Sequence, residues 1–244
     1  MSLQVTDDSK LGIKDPSGKQ LDLEAVFMSE SGELRKLKSL LSSKKPTIFT
    51  LSYYGCPNLC GMLLNGLVDA LKEIDWTLGD NFNAINISFD PREKSDLASE
   101  KKSNYLKLYG RDVSENSWLF LTGDQDNIDK ATEALGFYYR WDDKMQDFIH
   151  AAGIFIVNPE GKVMRYLYGS TFESRNLRLA LIESSLASER SFKESFFLFF
   201  FEFDSLAKNY QLSLFRVIAI TALFAFLAFL LFLMVYNKLM RSRA

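Results

Sequence analysis

At 244 residues, with 47% apolar and 25% charged side chains, the chain has material for one good-sized domain plus extras. A formal net charge of −2, with lysines and arginines scattered among acids and no basic stripe, excludes nucleic acid as an expected partner. Two cysteines exclude a multi-bridge disulfide scaffold, and their number alone does not reveal the redox compartment.

Residues 1–20 are polar and carry the turn signal Asp15-Pro16-Ser17-Gly18, so they are expected as an extended arm leading into a domain at 21–190. Pro46 to Tyr54 is rich in β-branched and aromatic residues and ends at Gly55, which predicts a buried strand followed by a turn. Leu59, Met62, Leu63, Leu67, Ala70, Leu71 and Ile74 then recur at helical spacing and form one apolar face. The pattern repeats with a strand at Phe82–Phe89, a charged amphipathic helix at about 93–108, a strand at Trp118–Leu121 and a helix at about 127–135. Ala152–Val157 and Val163–Tyr168, joined by Asn158-Pro159-Glu160-Gly161-Lys162, predict a hairpin, and Leu177–Leu186 a closing helix. Alternating strands and helices followed by a hairpin and a helix define an α/β class with a thioredoxin-like central mixed sheet and flanking helices.

Beyond the domain, Val217–Tyr236 is a run of twenty residues without a charge, long enough at about 1.5 Å per residue to cross a hydrocarbon core of about 30 Å. It predicts one C-terminal transmembrane helix, bounded at 214–236. The tail at 237–244 carries Lys238, Arg241 and Arg243 and no acid, which puts it in the cytoplasm and the large domain outside, although Lys208 and Arg216 flank the other end. The expected location is the inner (cytoplasmic) membrane or its equivalent, with the domain on the periplasmic or intermembrane side. Export needs a targeting signal, and MSLQVTDDSK has neither a basic nor an apolar region of that kind. A signal removed earlier and a tail-anchored cytosolic protein both stay open. The Phe-rich stretch Phe196–Phe203, within 191–213, is too short to span and too aromatic for a free linker. It is expected at the lipid–water boundary or packed on the domain, with a buried strand of the domain as the alternative.

Chemistry must come from few residues, because the chain has one histidine and two cysteines. Cys56-Pro57-Asn58-Leu59-Cys60 falls where a strand gives way to a helix, a position where backbone N–H groups and the helix dipole favour the thiolate. Sulfurs one helical turn apart can point to the same side and either chelate one ion or form a disulfide. In a thioredoxin-like sheet the entry to the hairpin, where His150 lies, is at the same end as this loop. Two thiolates and one imidazole suit copper(I), whereas a closed structural zinc site usually takes a fourth protein ligand. A lone histidine is more commonly a structural hydrogen-bonding residue, and a cysteine pair in an exported domain a plain disulfide. Their combination at one sheet end gives the metal its weight.

Leu51-Ser52-Tyr53-Tyr54-Gly55-Cys56-Pro57-Asn58-Leu59-Cys60, Ile87-Ser88-Phe89-Asp90-Pro91, and His150 seven residues before Val157-Asn158-Pro159-Glu160-Gly161-Lys162 resemble the Sco/SenC family of copper-binding assembly factors for cytochrome c oxidase. The resemblance covers about residues 20 to 187. It implies copper held by Cys56, Cys60 and His150, a metallochaperone rather than an enzyme, and cytochrome c oxidase subunit II, or a similar copper-accepting protein, as partner. Asp90 matches the family's acidic residue before proline and is expected near the site, or as a cap on the helix after Pro91. Gly61 stands where many members carry proline, and the span is C-terminal where many carry it at the N-terminus. A membrane-anchored thiol–disulfide oxidoreductase using Cys56 and Cys60 is the main rival, and a structural subunit of a respiratory membrane assembly a second. With no further cysteine to resolve a sulfenic acid, peroxidase chemistry is not indicated.

Overall fold

The computed structural model describes residues 11–41, 44–56, 59–186, 190–204 and 209–241, the last six by backbone alone, and the chain divides after Arg190 into two compact units. The first unit runs β1 (Gly12–Ile13), β2 (Val26–Met28), β3 (Leu34–Lys36), α1 (Leu37–Leu40), β4 (Thr47–Ser52), α2 (Leu59–Glu73), β5 (Asn83–Ser88), α3 (Ser95–Tyr109) and β6 (Trp118–Leu121). It continues with α4 (Gln125–Ala134), β7 (Phe137–Tyr138), β8 (Arg140–Asp142), β9 (Asp147–Ile149), β10 (Gly153–Val157), β11 (Val163–Tyr168) and α5 (Ser174–Ser184).

The central sheet has the order β11-β10-β4-β5-β6, with β4, β5 and β6 parallel and β10 antiparallel to both of its neighbours. All six residues of β4 are buried, as expected for a strand covered on both faces. One face packs Phe49, Leu51, Ile85, Ile87, Leu119 and Leu121 against Leu21, Phe27, Leu37 and α4. The other is covered by α2, α3 and α5, with α2 lying against both of the other helices. α2 also meets the loop between β11 and α5 closely, since a Cβ on Gly66 would sit 1.9 Å from the Ser170 carbonyl oxygen, which leaves glycine as the residue that fits. Asp124 caps α4 by accepting the Asn127 N–H at 2.9 Å, and Gly110 ends α3 in the left-handed region at φ +73°. This is the thioredoxin-like mixed sheet with flanking helices that the sequence predicts.

Three features depart from the expectation, the first being the β2–β3 hairpin and α1 between residues 26 and 40, where no element is expected. Residues 11–20 are stitched to the domain: β1 pairs with β7, and Gln20 bridges Lys162. Residues 1–10 of the expected arm lie outside the described residues. A second hairpin, β8–β9, interrupts the path from α4 to β10, and its end delivers His150.

The second unit comprises α6 (Phe192–Phe199), β12 (Phe201–Asp204), β13 (Asn209–Leu212) and α7 (Leu214–Arg241). The Phe-rich stretch is thus a helix and one strand of a hairpin, since β12 pairs with β13 and not with the domain's sheet. None of the residues of Leu214–Val235 in α7 is buried, and at 22 residues, or about 33 Å of rise, the segment is long and apolar enough to span a membrane. The helical backbone continues to Arg241, through most of the basic segment expected as a separate tail, while residues 242–244 lie outside the described residues.

Candidate metal centre

Cys56 and Cys60 lie at the end of β4 nearest the α2 N-terminus, because β4 ends at Ser52 and α2 starts at Leu59. Both are unbridged, with Cys60 buried in the first turn of α2 and Cys56 half-buried in the turn before it. The Tyr53 N–H donates to the Cys60 Sγ at 3.5 Å and the Cys60 N–H to the Cys56 Sγ at 3.3 Å, so the backbone aims both sulfurs inward. From ninety residues further along, His150 brings its Nε2 to 3.7 Å from the Cys60 Sγ. The ligand atoms of Cys56, Cys60 and His150 all lie within 4.8 Å of one another.

The histidine arrives in the tautomer that a metal requires. Its Nδ1 lies 2.8 Å from the Ala151 carbonyl oxygen, which can only accept, so Nδ1 carries the proton and Nε2 turns its lone pair towards the sulfurs. Metal-binding histidines are commonly oriented by such a bond on the second nitrogen. The ring is held in an aromatic nest, with centroids 5.1 Å from Phe89, 6.0 Å from Phe137 and 6.1 Å from Tyr53. Tyr53 also donates its hydroxyl to Asp147 of β9, tying the cysteine turn to the strand that ends at His150. Burial and that hydrogen bond push the Tyr53 phenol upward, so it stays a donor.

One expectation about the sulfurs fails. The helix N-terminus predicts a stabilised thiolate, yet the Cys60 thiol is pushed well above its ordinary range by the neighbouring Cys56 sulfur first and by burial second.

Asp90 does not cap the helix after Pro91, because α3 begins at Ser95 with Lys94 at its N-cap. Buried itself, it accepts the Arg92 N–H at 2.9 Å and grips the Arg92 guanidinium at 2.7–3.1 Å. That guanidinium lies 4.7 Å from the ring centre of Trp141 and 5.7 Å from that of Phe148, in the hairpin that presents His150. The structure therefore links Asp90 to the histidine strand through Arg92.

Sequence reasoning missed Glu93. Its carboxylate turns inward and accepts the N–H groups of Tyr54 and Gly55 at 2.7 and 2.6 Å, together with the Ser88 hydroxyl. Burial raises its pKa and those three donors oppose the rise. Glu93→Ala leaves the buried Tyr54 N–H unpaired and returns the exposed Gly55 N–H to water, and the expected result is a loss of about 1–3 kcal/mol in denaturant unfolding. An unchanged midpoint would show that the turn does not depend on this anchor.

A thioredoxin-like domain with a dithiol and a correctly oriented imidazole at one sheet end defines a class of small metal- or disulfide-handling proteins. Comparison with family models places the chain within it: the SCO1/SenC model matches residues 18–203, and the chain belongs to that family. Among solved structures, a protein of Aquifex aeolicus VF5 superposes with a TM-score of 0.61 at 21% identity, covering 69% of this chain and 94% of its own. Arabidopsis thaliana ScoI with copper bound gives a TM-score of 0.51 at 22% identity, covering 66% and 92%. BsSco, described as having a disulfide switch and as a member of the Sco family of cytochrome c oxidase assembly proteins, gives 0.54 at 20%, covering 72% and 99%. Comparison with curated proteins returns no significant match.

Proposed function

We propose that this chain is a membrane-anchored copper metallochaperone that carries copper(I) on Cys56, Cys60 and His150. It would deliver the ion to the binuclear copper site of cytochrome c oxidase subunit II or a similar copper-accepting protein. The observation that carries this reading is the convergence of two sulfurs and an imidazole lone pair within 4.8 Å. The donor set fits a soft monovalent ion: two thiolates and one imidazole satisfy copper(I), and among the described residues the cluster offers no fourth His, Cys, Asp or Glu for a closed zinc site. Copper bound in Arabidopsis ScoI and the role stated for BsSco support the same reading.

The residues divide the work. Cys60 is buried and His150 is held by its ring contacts, so they form the fixed side of the site. Cys56 is the more accessible sulfur, and an incoming donor from a partner meets it first. Ligand exchange then proceeds by replacement of one sulfur by another, with no turnover chemistry. Both thiols must lose their protons to bind the ion, and the Cys60 proton is held tightly. Copper(I) uptake is expected to release protons and to tighten as pH rises, measured by competition titration across the neutral range. Affinity independent of pH would mean that the thiols are not the ligands.

The anchor is α7, and the basic residues beyond the span favour a cytoplasmic C-terminus with the domain on the periplasmic or intermembrane side. The function is tested by mixing copper-loaded full-length protein in detergent with a metal-free copper-accepting domain. Wild type is expected to hand over its copper and Cys56→Ser to stall. Retention of copper by the wild type in the presence of the acceptor would contradict the chaperone role.

A second reading, thiol–disulfide exchange on the acceptor's cysteines, draws on the same asymmetry, an accessible Cys56 beside a buried Cys60. In that reading the Cys56 thiolate attacks the acceptor's disulfide to form a mixed disulfide. Cys60, losing its proton, then displaces it, so Cys56 and Cys60 end oxidised to a disulfide and the acceptor reduced to a dithiol.

A further inference from the structure

The aromatic segment ahead of α7 is not absorbed by the metal site. We infer that α6 and the β12–β13 hairpin form a collar seated in the headgroup region of a lipid bilayer, an inference that rests on the reading of α7 as a membrane anchor. Three observations carry it. First, α6 and the hairpin form one compact unit with α7. The Ser213 N–H donates to the Phe200 carbonyl at 2.8 Å, and the Arg216 guanidinium donates to the Phe199 carbonyl at 2.8 Å. It also lies 5.4 Å from the Phe199 ring centre. Arg216 is the third residue of α7, so these contacts tie the end of α6 to the first turn of the span.

Second, the phenylalanines stack on one another yet keep much of their surface open: Phe192 is 84% exposed, Phe196 55%, Phe197 41% and Phe199 48%. Four such rings on an eight-residue helix, continuous with exposed Leu214 and Phe215, are out of place in water. Third, the hairpin is two-faced. Phe201 pairs with Leu212 and Phe203 with Tyr210, whereas Glu202 pairs with Gln211 and Asp204 with Asn209. Alternate residues of paired strands point to opposite faces, so one face is apolar and aromatic and the other polar; on the apolar face Leu212 is open, Phe201 and Phe203 are half-buried and Tyr210 is covered by protein. Aromatic rings beside a span, with a polar side facing away, match the lipid–water interface. The occupant is lipid; a second copy of the chain or the domain itself would be the protein alternatives.

The test is photo-crosslinking of full-length protein reconstituted into vesicles of equimolar phosphatidylcholine and phosphatidylglycerol. Benzoylphenylalanine is placed in turn at Phe196, at Phe226 within α7 and at the exposed Asn104 of α3. Lipid adducts at 196 and 226 and none at 104 are expected. If 226 labels lipid while 196 links to protein or to nothing, the collar is overturned and the anchor stands. If 226 also fails to label lipid, the anchor reading falls and the collar with it.

Discussion

Replacing His150 with alanine lowers copper(I) affinity by at least about a hundredfold and leaves dithiol–disulfide exchange with a model disulfide close to that of the wild type. The magnitude follows from ligand arithmetic: disturbing a group that merely orients a metal-bound histidine costs about 10–100-fold, and removing the histidine itself costs no less. The asymmetry between the two readouts follows from the geometry. The imidazole touches Cys60 through Nε2 and turns its other nitrogen to Ala151, so it serves as a donor, while exchange needs only the two sulfurs. Competition titration and an exchange assay on the same preparation separate the readings. Exchange lost together with copper binding would favour the oxidoreductase, and copper affinity unmoved by the substitution would remove His150 from the site.

Phe89→Ala is expected to destabilise the first unit by about 3–5 kcal/mol. Phe89 is fully buried, and its ring centre lies 4.7 Å from Tyr139, 5.1 Å from His150, 5.3 Å from Phe148, 5.4 Å from Phe137 and 5.5 Å from Tyr53. Truncation opens a cavity where the cysteine turn, the β8–β9 hairpin and β7 meet. The cost adds lost transfer free energy to a void that five rings in fixed rotamers cannot fill. Phe89→Leu keeps most of the volume and is expected to cost less than half as much. Denaturant unfolding measures both, and copper titration should rank them in the same order, since the ring also holds the imidazole in place. Equal stability for Ala and Leu would show that the nest is not packed as described.

Much of this architecture was readable in the chain. Runs rich in β-branched and aromatic residues located β4, β5, β6, β10 and β11, and helical periodicity located α2; the sheet topology then brings Cys56, Cys60 and His150 to one end. What the sequence hid is non-periodic. β8 and β9 have three residues each and turn through Gln146 at φ +52°, with no glycine or Asn-Gly signal to mark the hairpin. β1 is two residues paired more than a hundred positions away. Glu93 reads as the solvent face of a charged helix, and only the fold shows it folded back onto the Tyr54 and Gly55 amides. Asp90 misleads similarly: the local cue of an acid before proline suggests a cap, whereas it grips Arg92, whose guanidinium the fold sets over Trp141 and Phe148. The rise in the Cys60 pKa depends on the Cys56 sulfur being in contact, which spacing along a helix permits but does not impose.

One copper ion held by two sulfurs and one imidazole nitrogen, as proposed, has a distinct scattering signature. X-ray absorption spectroscopy of the copper(I)-loaded full-length protein tests it most directly. Two sulfur scatterers and one nitrogen scatterer with the outer-shell pattern of an imidazole are expected, with the loss of that pattern in His150→Ala. A copper bound by sulfur alone, or by nitrogen and oxygen without sulfur, would contradict it.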